Sequence, residues 1–571
     1  MTKSKTDFQY LNLHIEKVDD TGNFTSIIRD NGGAIQAKHN FRYSIDRHVL
    51  SRLEDMLIKD FRQSANIIEN FGSELYSAVF GGEVAGYFKS LLKKGDDIRL
   101  NLIFKRNQTE LYRLPWEFLY DGDKFLCAYP QINLSRSLEG LETDDKPPIE
   151  GKIRILAVVS SPLDLKDYER LQIEQEQVMI LQALDSSIAA GRMEVEFLDE
   201  ASLRNIQERL DEEEHHILHY TGHGVYREDE DRGYLVMEND TGKTRPVDNR
   251  DVADLLAGYK SLRLVVLSGC QTAKTSGRQA LRDMATPLLT KKIPSVIAMQ
   301  YSVSDHSATS FATKLYSEIA NGYPVDVALT RARRDLRLDD KFGRVEFATP
   351  VLWSNNPDCL AIDESKLKAP DSGIKPSKPL TLKENIFLGL ERLGNQFIGR
   401  RAELRRIKED FLNRGTRVVV LHGIGGIGKT VTASKVVEKL AEHFRLIYAF
   451  DCRENLTPEL IMMQLNDFFK ANGIDAFDPI LKSDAPVTMK INQLAQLLSQ
   501  IKSLLIFDNF ESLLAEDKNS SELKDDDLKK ALKDLITQCS DGSKFLFTTR
   551  YTFNLTDGRM TNLIDEINLG E

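Results

Sequence analysis

The chain has 571 residues, 41% of them hydrophobic and 29% charged, with a formal net charge of −11. That length exceeds what one hydrophobic core can organise, so several domains are expected. Acidic and basic residues are spread along the whole chain, which argues against a dedicated nucleic-acid or anionic-membrane surface. The five cysteines, Cys127, Cys270, Cys359, Cys452 and Cys539, stand far apart with no C-x-x-C pair. This argues against zinc and disulfide frameworks. The first residues lead into no secretory h-region, and no run approaches the ~18 apolar residues of a membrane helix. A reducing cytoplasm is the expected location, and a thiol nucleophile survives there.

In chain order, residues 8 to about 150 mix strands and helices. Ile98 to Phe104 alternates as a half-buried strand does. Leu114 to Gly122 reads as a helical turn closed by a tight turn, with Trp116 as a core anchor. A polar connector, Asp144 to Gly151, follows. Strands are then predicted at Ile153–Ser160, Val195–Leu198, His216–Tyr220, Leu262–Leu267 and Ser295–Gln300, with Phe347–Trp353 as an edge strand. Helical patterns lie between most of them, including Leu171–Leu184 and Ser202–Asp211. This alternation implies a parallel sheet covered by helices on both faces. Residues 363–381 contain Pro370, Gly373, Pro376 and Pro379 and have the composition of a linker. A second α/β pattern follows, with strands at 418–421, 446–450, 503–507 and 544–548.

Two predicted strands end on chemistry-bearing residues. One runs into His219-Tyr220-Thr221-Gly222-His223-Gly224, the other into Leu267-Ser268-Gly269-Cys270. The C-terminal tips of parallel strands line the crevice where ligands bind. A thiol and an imidazole meeting there form a nucleophile–base pair. His223 is the expected base and Cys270 the expected nucleophile. The N–H groups of Gly224 and Cys270 are candidate oxyanion donors. His219 shares the strand parity of His223 and competes for the base role. A buried cysteine acting as a small apolar filler is the alternative for Cys270.

The stretch from about 75 to 360 resembles a CHAT domain, a branch of the caspase–separase peptidases. The matching residues are Leu114-Pro115-Trp116-Glu117-Phe118-Leu119, His219 to Gly224, Val265 to Ala273, Val303-Ser304-Asp305, and Ala328-Leu329 with Ala332-Arg333. The resemblance implies peptide-bond cleavage by His223 and Cys270. It further implies that Asp305 lines the primary specificity pocket and favours a basic residue before the cleaved bond. An exposed loop aspartate or a helix N-cap is the other reading of Asp305.

Gly423-Ile424-Gly425-Gly426-Ile427-Gly428-Lys429-Thr430 fits the phosphate-binding pattern G-x-x-x-x-G-K-[ST] between an apolar strand and a helical run. The glycines Gly423, Gly425, Gly426 and Gly428 let backbone N–H groups wrap phosphates, Lys429 reaches the β/γ-phosphates, and Thr430 binds Mg²⁺. Leu504 to Asp508 supplies a second apolar strand whose terminal Asp508 would also hold Mg²⁺. Asn509 follows it and cannot serve as a carboxylate base, so slow hydrolysis is expected. Arg550, ending a further strand, is either a γ-phosphate sensor or a surface arginine.

With Phe397 to Leu404, this half resembles an NB-ARC or STAND-type regulatory NTPase. The expected protein is a multidomain α/β chain. A caspase-like, mostly parallel sheet with helices on both faces is followed by a P-loop NTPase α/β domain. Residues 1–150 form an α+β, pseudo-protease-like N-terminal part of the CHAT region, 151–362 the peptidase core, 363–381 the linker, and 382–571 the NTPase, cut short. The resemblance implies a signalling endopeptidase gated by ATP (or dATP/ADP) with Mg²⁺, acting in bacterial defence or programmed cell death. A protein substrate, self-association on activation, and a trigger read by a C-terminal sensor outside this chain go with it. No nucleic acid or membrane partner is expected. A nucleotide-driven scaffold with an inert caspase-like half is the alternative, and a plain ATPase or chaperone a third reading.

Overall fold

The computed structural model describes residues 8–30, 32–43, 61–141, 146–165, 180–182, 184–198, 200–227, 229–230, 232–269, 275–301, 305–338, 346–363, 386–387, 399–454, 456–515, 522–539, 542–553 and 563–570. The chain forms two compact units, Met1–Ser372 and Gly373–Glu571.

In the first unit, besides a two-stranded pair of Ile149–Glu150 with Ile362–Asp363, the strands are β1 (Gln9–Lys17), β2 (Asn23–Arg29), β3 (Ile35–Arg42), β4 (Ile98–Phe104), β5 (Ile132–Leu138), β6 (Ile153–Val159), β7 (Met193–Leu198), β8 (Ile217–Gly222), β9 (Gly224–Arg227), β10 (Arg232–Glu238), β11 (Thr244–Asp248), β12 (Leu264–Gly269), β13 (Ser295–Met299) and β14 (Pro350–Ser354). Eleven of these make one sheet in the order β3-β2-β1-β4-β5-β14-β13-β12-β8-β6-β7. Strands β7, β6, β8, β12 and β13 are mutually parallel. Their near-continuous apolar runs fit burial on both faces: all seven residues of β6 except Arg154 are buried. Strands β9, β10 and β11 form a separate antiparallel sheet that starts two residues past the end of β8.

The helices include α1 (Phe61–Val79), α2 (Gly82–Lys94), α3 (Leu203–Glu212), α4 (Asn249–Leu256), α5 (Thr275–Thr290), α6 (Asp305–Ala320) and α7 (Val325–Leu338). Local chemistry sets several of their ends. The Ser202 side chain accepts from the Asn205 N–H to cap α3, and Asp248 caps α4 from the Arg250 N–H. Gly95, at φ 79°, ends α2 in the left-handed region that glycine adopts freely. The predicted helix Leu171–Leu184 lies mostly outside the described residues.

One expectation is corrected. The strand expected at Phe347–Trp353 is Pro350–Ser354, and it is not at an edge. It lies inside the sheet, antiparallel to β13 on one side and parallel to β5 on the other. All five of its residues are buried. Phe347 instead belongs to a short turn, Glu346–Ala348. Pro350, which has no N–H to give a ladder, takes the first position of the strand, where an interior strand tolerates it.

Strand β14 joins the halves of the sheet, and one apolar cluster runs through residues from both. At the joint, Trp353 lies 6.3 Å from Phe104, which lies 5.6 Å from Trp116, centroid to centroid. Trp116 is a core residue whose indole N–H donates to the Leu111 carbonyl at 2.8 Å. Beside it, fully buried Glu117 accepts from Arg136 Nε at 3.1 Å and Gln300 Nε2 at 3.0 Å. Arg136 is likewise fully buried, and Arg333 lies 3.7 Å from the same carboxylate.

The second unit holds β15 (Ile386–Phe387), β16 (Val418–His422), β17 (Leu446–Asp451), β18 (Ser503–Asp508), β19 (Lys544–Thr549) and β20 (Ile564–Asn568) in the parallel order β15-β17-β18-β19-β16-β20. Alternate residues of each strand face opposite sides. Val419 and Leu421 join one apolar layer with α8 (Arg401–Leu412) and α9 (Lys429–Leu440). Val418 and Val420 join the other with α10 (Pro458–Ala471), α11 (Val487–Ile501) and α12 (Asp526–Gln538). Among the described residues no helix is long and apolar enough to cross a membrane.

Candidate functional site

Strands β8 and β12 are neighbours and pair parallel in register through Thr221↔Ser268 and Gly222↔Gly269. The next residue along one chain is His223 and along the other Cys270. Cys270 lies outside the described residues. The imidazole of His223 sits on a residue only 9% exposed. Its backbone is held firmly: the His223 carbonyl accepts from the Val236 N–H at 2.9 Å and lies 2.9 Å from the Tyr220 hydroxyl. The same hydroxyl lies 2.8 Å from the Val236 carbonyl. Gly222 makes this possible, because a Cβ there would stand 2.6 Å from the Tyr220 hydroxyl and 3.0 Å from Ser160 Cβ. Gly224 is buried and opens β9, opposite Leu235.

His219 is placed elsewhere. Strand β8 ends at Gly222, so alternation does not carry across to His223. The His219 Nδ1 meets the Tyr316 hydroxyl of α6 at 2.5 Å, and complete burial pushes its pKa down to about 4. It is a satisfied core histidine. Asp305 is the first residue of α6, which follows β13, the next strand beyond β12. Its backbone is thus at the same C-terminal edge of the sheet as His223, while its side chain lies outside the described residues.

In the second unit the loop Gly423–Gly428 joins β16 to α9. Gly426 and Gly428 take φ values of 83° and 93°, and Gly423 takes 153°. A side chain at any of these would be strained. Lys429 folds back on its own loop, donating to the carbonyls of Gly423 at 2.9 Å and Ile424 at 3.0 Å. Burial lowers the pKa of its ammonium; Glu511 acts in the opposite direction. Thr430 Oγ1 lies 2.9 and 3.1 Å from the two carboxylate oxygens of Asp508 at the tip of β18. A glycine cradle with a lysine at its mouth fits a polyphosphate, and a hydroxyl beside a carboxylate fits a hard divalent cation such as Mg²⁺.

Thr548 and Arg400, which carried no nucleotide role in the sequence, join Asn509 and Arg550 in this cluster. Thr548, on the strand between β16 and β18, donates to Asp508 Oδ1 at 2.5 Å and accepts from the Asn509 N–H at 3.0 Å. Asn509, in the left-handed region at φ 59°, gives its side-chain N–H to Asp508 Oδ2 at 3.0 Å. It orients the carboxylate. Arg400 reaches the Ile427 carbonyl of the loop at 3.4 Å. Arg550 leans over the loop, with its guanidinium carbon 3.6 Å from where a Gly425 Cβ would be, and its Nε donates to Glu511 Oε1 at 3.1 Å. Polar residues at the tips of adjacent strands were the available signal for Thr548. Glu511 stands three residues after Asp508 in the sequence, but its pairing with Arg550 had no local signal.

A mostly parallel caspase-like unit and a P-loop unit are what these two sheets and their tips define. Residues 69–357 match the family model of the CHAT domain, half of the chain, and the chain belongs to that family. Residues 412–551 match the model of an AAA domain, which implies nucleotide binding, usually with Mg²⁺. Among solved structures, the chain is similar to one described as the Saccharomyces cerevisiae separase–securin complex, at 12% identity over 61% of this chain and 30% of that one, TM-score 0.33. It is also similar to the Aeropyrum pernix ORC2 protein (ADPNP-ADP complexes), at 18% identity over 33% of this chain and 50% of that one, TM-score 0.21. The chain therefore spans about a third to a half of the length of these structures. No curated protein matches it.

Proposed function

We propose that the chain is a signalling cysteine endopeptidase of caspase–separase type, gated by a STAND-type nucleotide switch and used in bacterial defence or programmed cell death. The observation that carries the peptidase reading is the Gly222↔Gly269 register, which pairs the residue before His223 with the residue before Cys270. Parallel neighbours stand about 4.8 Å apart, so the paired Gly222 and Gly269 lead the chain into His223 and Cys270 from neighbouring points. In the proposed reaction His223 takes the thiol proton and the thiolate attacks the scissile carbonyl. The N–H groups of Gly224 and Cys270 receive the oxyanion. The C–N bond breaks as His223 returns the proton to the leaving amine, and water then hydrolyses the thioester. Asp305 selects a basic residue before the cleaved bond.

Lys429, Thr430 and Asp508 hold a nucleotide and Mg²⁺, and Arg550 reads the terminal phosphate. ATP, dATP and ADP all fit this donor set. The nucleotide state biases self-association, which orders the peptidase site. The test is cleavage of a diverse peptide library by wild type and Cys270→Ala, each with ATP–Mg²⁺ and with ADP. Cleavage lost in Cys270→Ala is expected, with basic residues before the cut. Equal cleavage with both nucleotides sinks the gating. No cleavage under any condition favours an oligomerising scaffold instead.

A further inference from the structure

The phosphate loop faces two cations, Lys429 and Arg550, and two anions, Asp508 and Glu511. Three of the four have partners expected of a nucleotide site. Lys429 rests on loop carbonyls, and Asp508 is held by Thr430, Thr548 and Asn509. Arg550 leans over Gly425. Glu511 is the unexplained member. Its side chain is only 16% exposed, against 56% for Arg550. One of its oxygens accepts from Arg550, while Oε2 is buried with no hydrogen-bond partner. A carboxylate so placed is costly unless an opposite charge stays beside it. The contact is a single Nε–H bond, not the two-bond fork that makes arginine–carboxylate pairs strong. It is therefore open to exchange for a better anion.

We propose that Glu511 sets the preference of this site between nucleoside diphosphate and triphosphate, by holding Arg550 in an ion pair that a terminal phosphate must displace. This rests on the nucleotide-site reading above. A diphosphate leaves the pair intact. A triphosphate brings a further negative charge towards Glu511 and competes with it for Arg550. The resting site is thereby biased to the diphosphate. The triphosphate engages fully only when the chain bends Arg550 away from Glu511, a short movement, since the guanidinium already lies over the loop.

The test is equilibrium titration of the full chain with fluorescent ADP and a fluorescent β,γ-imido triphosphate, both with Mg²⁺ at one fixed salt concentration. The ratio of the two Kd values is the readout, for wild type, Glu511→Gln, Glu511→Met, Arg550→Ala and the Glu511→Gln/Arg550→Ala double variant. Neutralising Glu511 should shift the ratio towards the triphosphate by up to about tenfold. The double variant should lose that shift. An unchanged ratio, or a shift towards the diphosphate, overturns the proposal. So does loss of both nucleotides in both Glu511 variants, which would make the residue structural. Wild type binding neither nucleotide overturns the nucleotide-site reading itself, a different result from binding with an unaltered ratio.

Discussion

At the scale of single residues, Gly222 does more for the proposed site at His223 than its lack of a side chain suggests. It lets the Tyr220 hydroxyl lie against two carbonyls, one of them that of His223. Gly222→Ala would push a methyl to 2.6 Å from that hydroxyl. The expected cost is about 1–3 kcal/mol, seen as a fall of roughly 2–6 °C in the unfolding temperature, with peptide cleavage reduced further because His223 is displaced. Cleavage at the wild-type rate would show that the Tyr220 clamp does not position the histidine. His219 gives a pH prediction. Its folded pKa is pushed down to about 4 by burial, below the unfolded value near 6.5. The unfolded chain therefore takes up the proton first. Stability is complete above pH 6.5 and falls as pH drops towards 4, by roughly 3 kcal/mol for a single group. His216, also held at about 4 by burial, adds a loss of the same sign. His219→Gln keeps an acceptor for Tyr316 and should flatten this acid limb in denaturant titrations at pH 7, 6 and 5. An identical limb would place the proton uptake elsewhere.

At the scale of elements, strands were legible where local pattern decided them. Ile98 to Phe104 alternates, and the apolar runs ending at Tyr220 and Leu267 are each followed by glycine; both strands run two residues further, to Gly222 and Gly269. What alternation could not tell was neighbourhood. Phe347–Trp353 reads as a strand with one side uncovered, yet β14 fills the middle of the sheet, because its partners β5 and β13 come from distant parts of the chain. The same holds for Glu117. Its partners Arg136, Gln300 and Arg333 are far apart in the sequence, and no local pattern announces a buried carboxylate between them. In the second unit the phosphate loop was legible because its glycines, lysine and threonine are contiguous, while Glu511 acquired its place only through the turn after Asp508. The joint carries its own prediction. Glu117→Ala leaves Arg136 buried with its charge uncompensated, which should cost about 3–5 kcal/mol. Urea unfolding would read it, and a change under 1 kcal/mol would mean that Gln300 and the nearby carbonyls suffice for Arg136.

At the scale of the whole molecule, two α/β units share one chain. If the nucleotide unit governs the peptidase unit, a change confined to the phosphate loop must be felt in cleavage. Lys429→Met in the full chain should weaken triphosphate binding by at least about tenfold, the loss of a charged phosphate contact. It should also remove the difference in peptide cleavage between ATP and ADP. A variant that no longer binds nucleotide yet keeps that difference would uncouple the two units.

The position of β14 also has a bearing on the order of synthesis. The strand that joins the two halves of the sheet is the last of the eleven to leave the ribosome. Until Pro350–Ser354 has emerged, β5 and β13 have no strand to bridge them. Strands β8 and β12, which precede His223 and Cys270 in the sequence, are made well before that moment, so a growing chain holds both residues before the sheet is finished. If the chain is the endopeptidase proposed above, it is thus kept unassembled while it is still attached to the machinery that makes it.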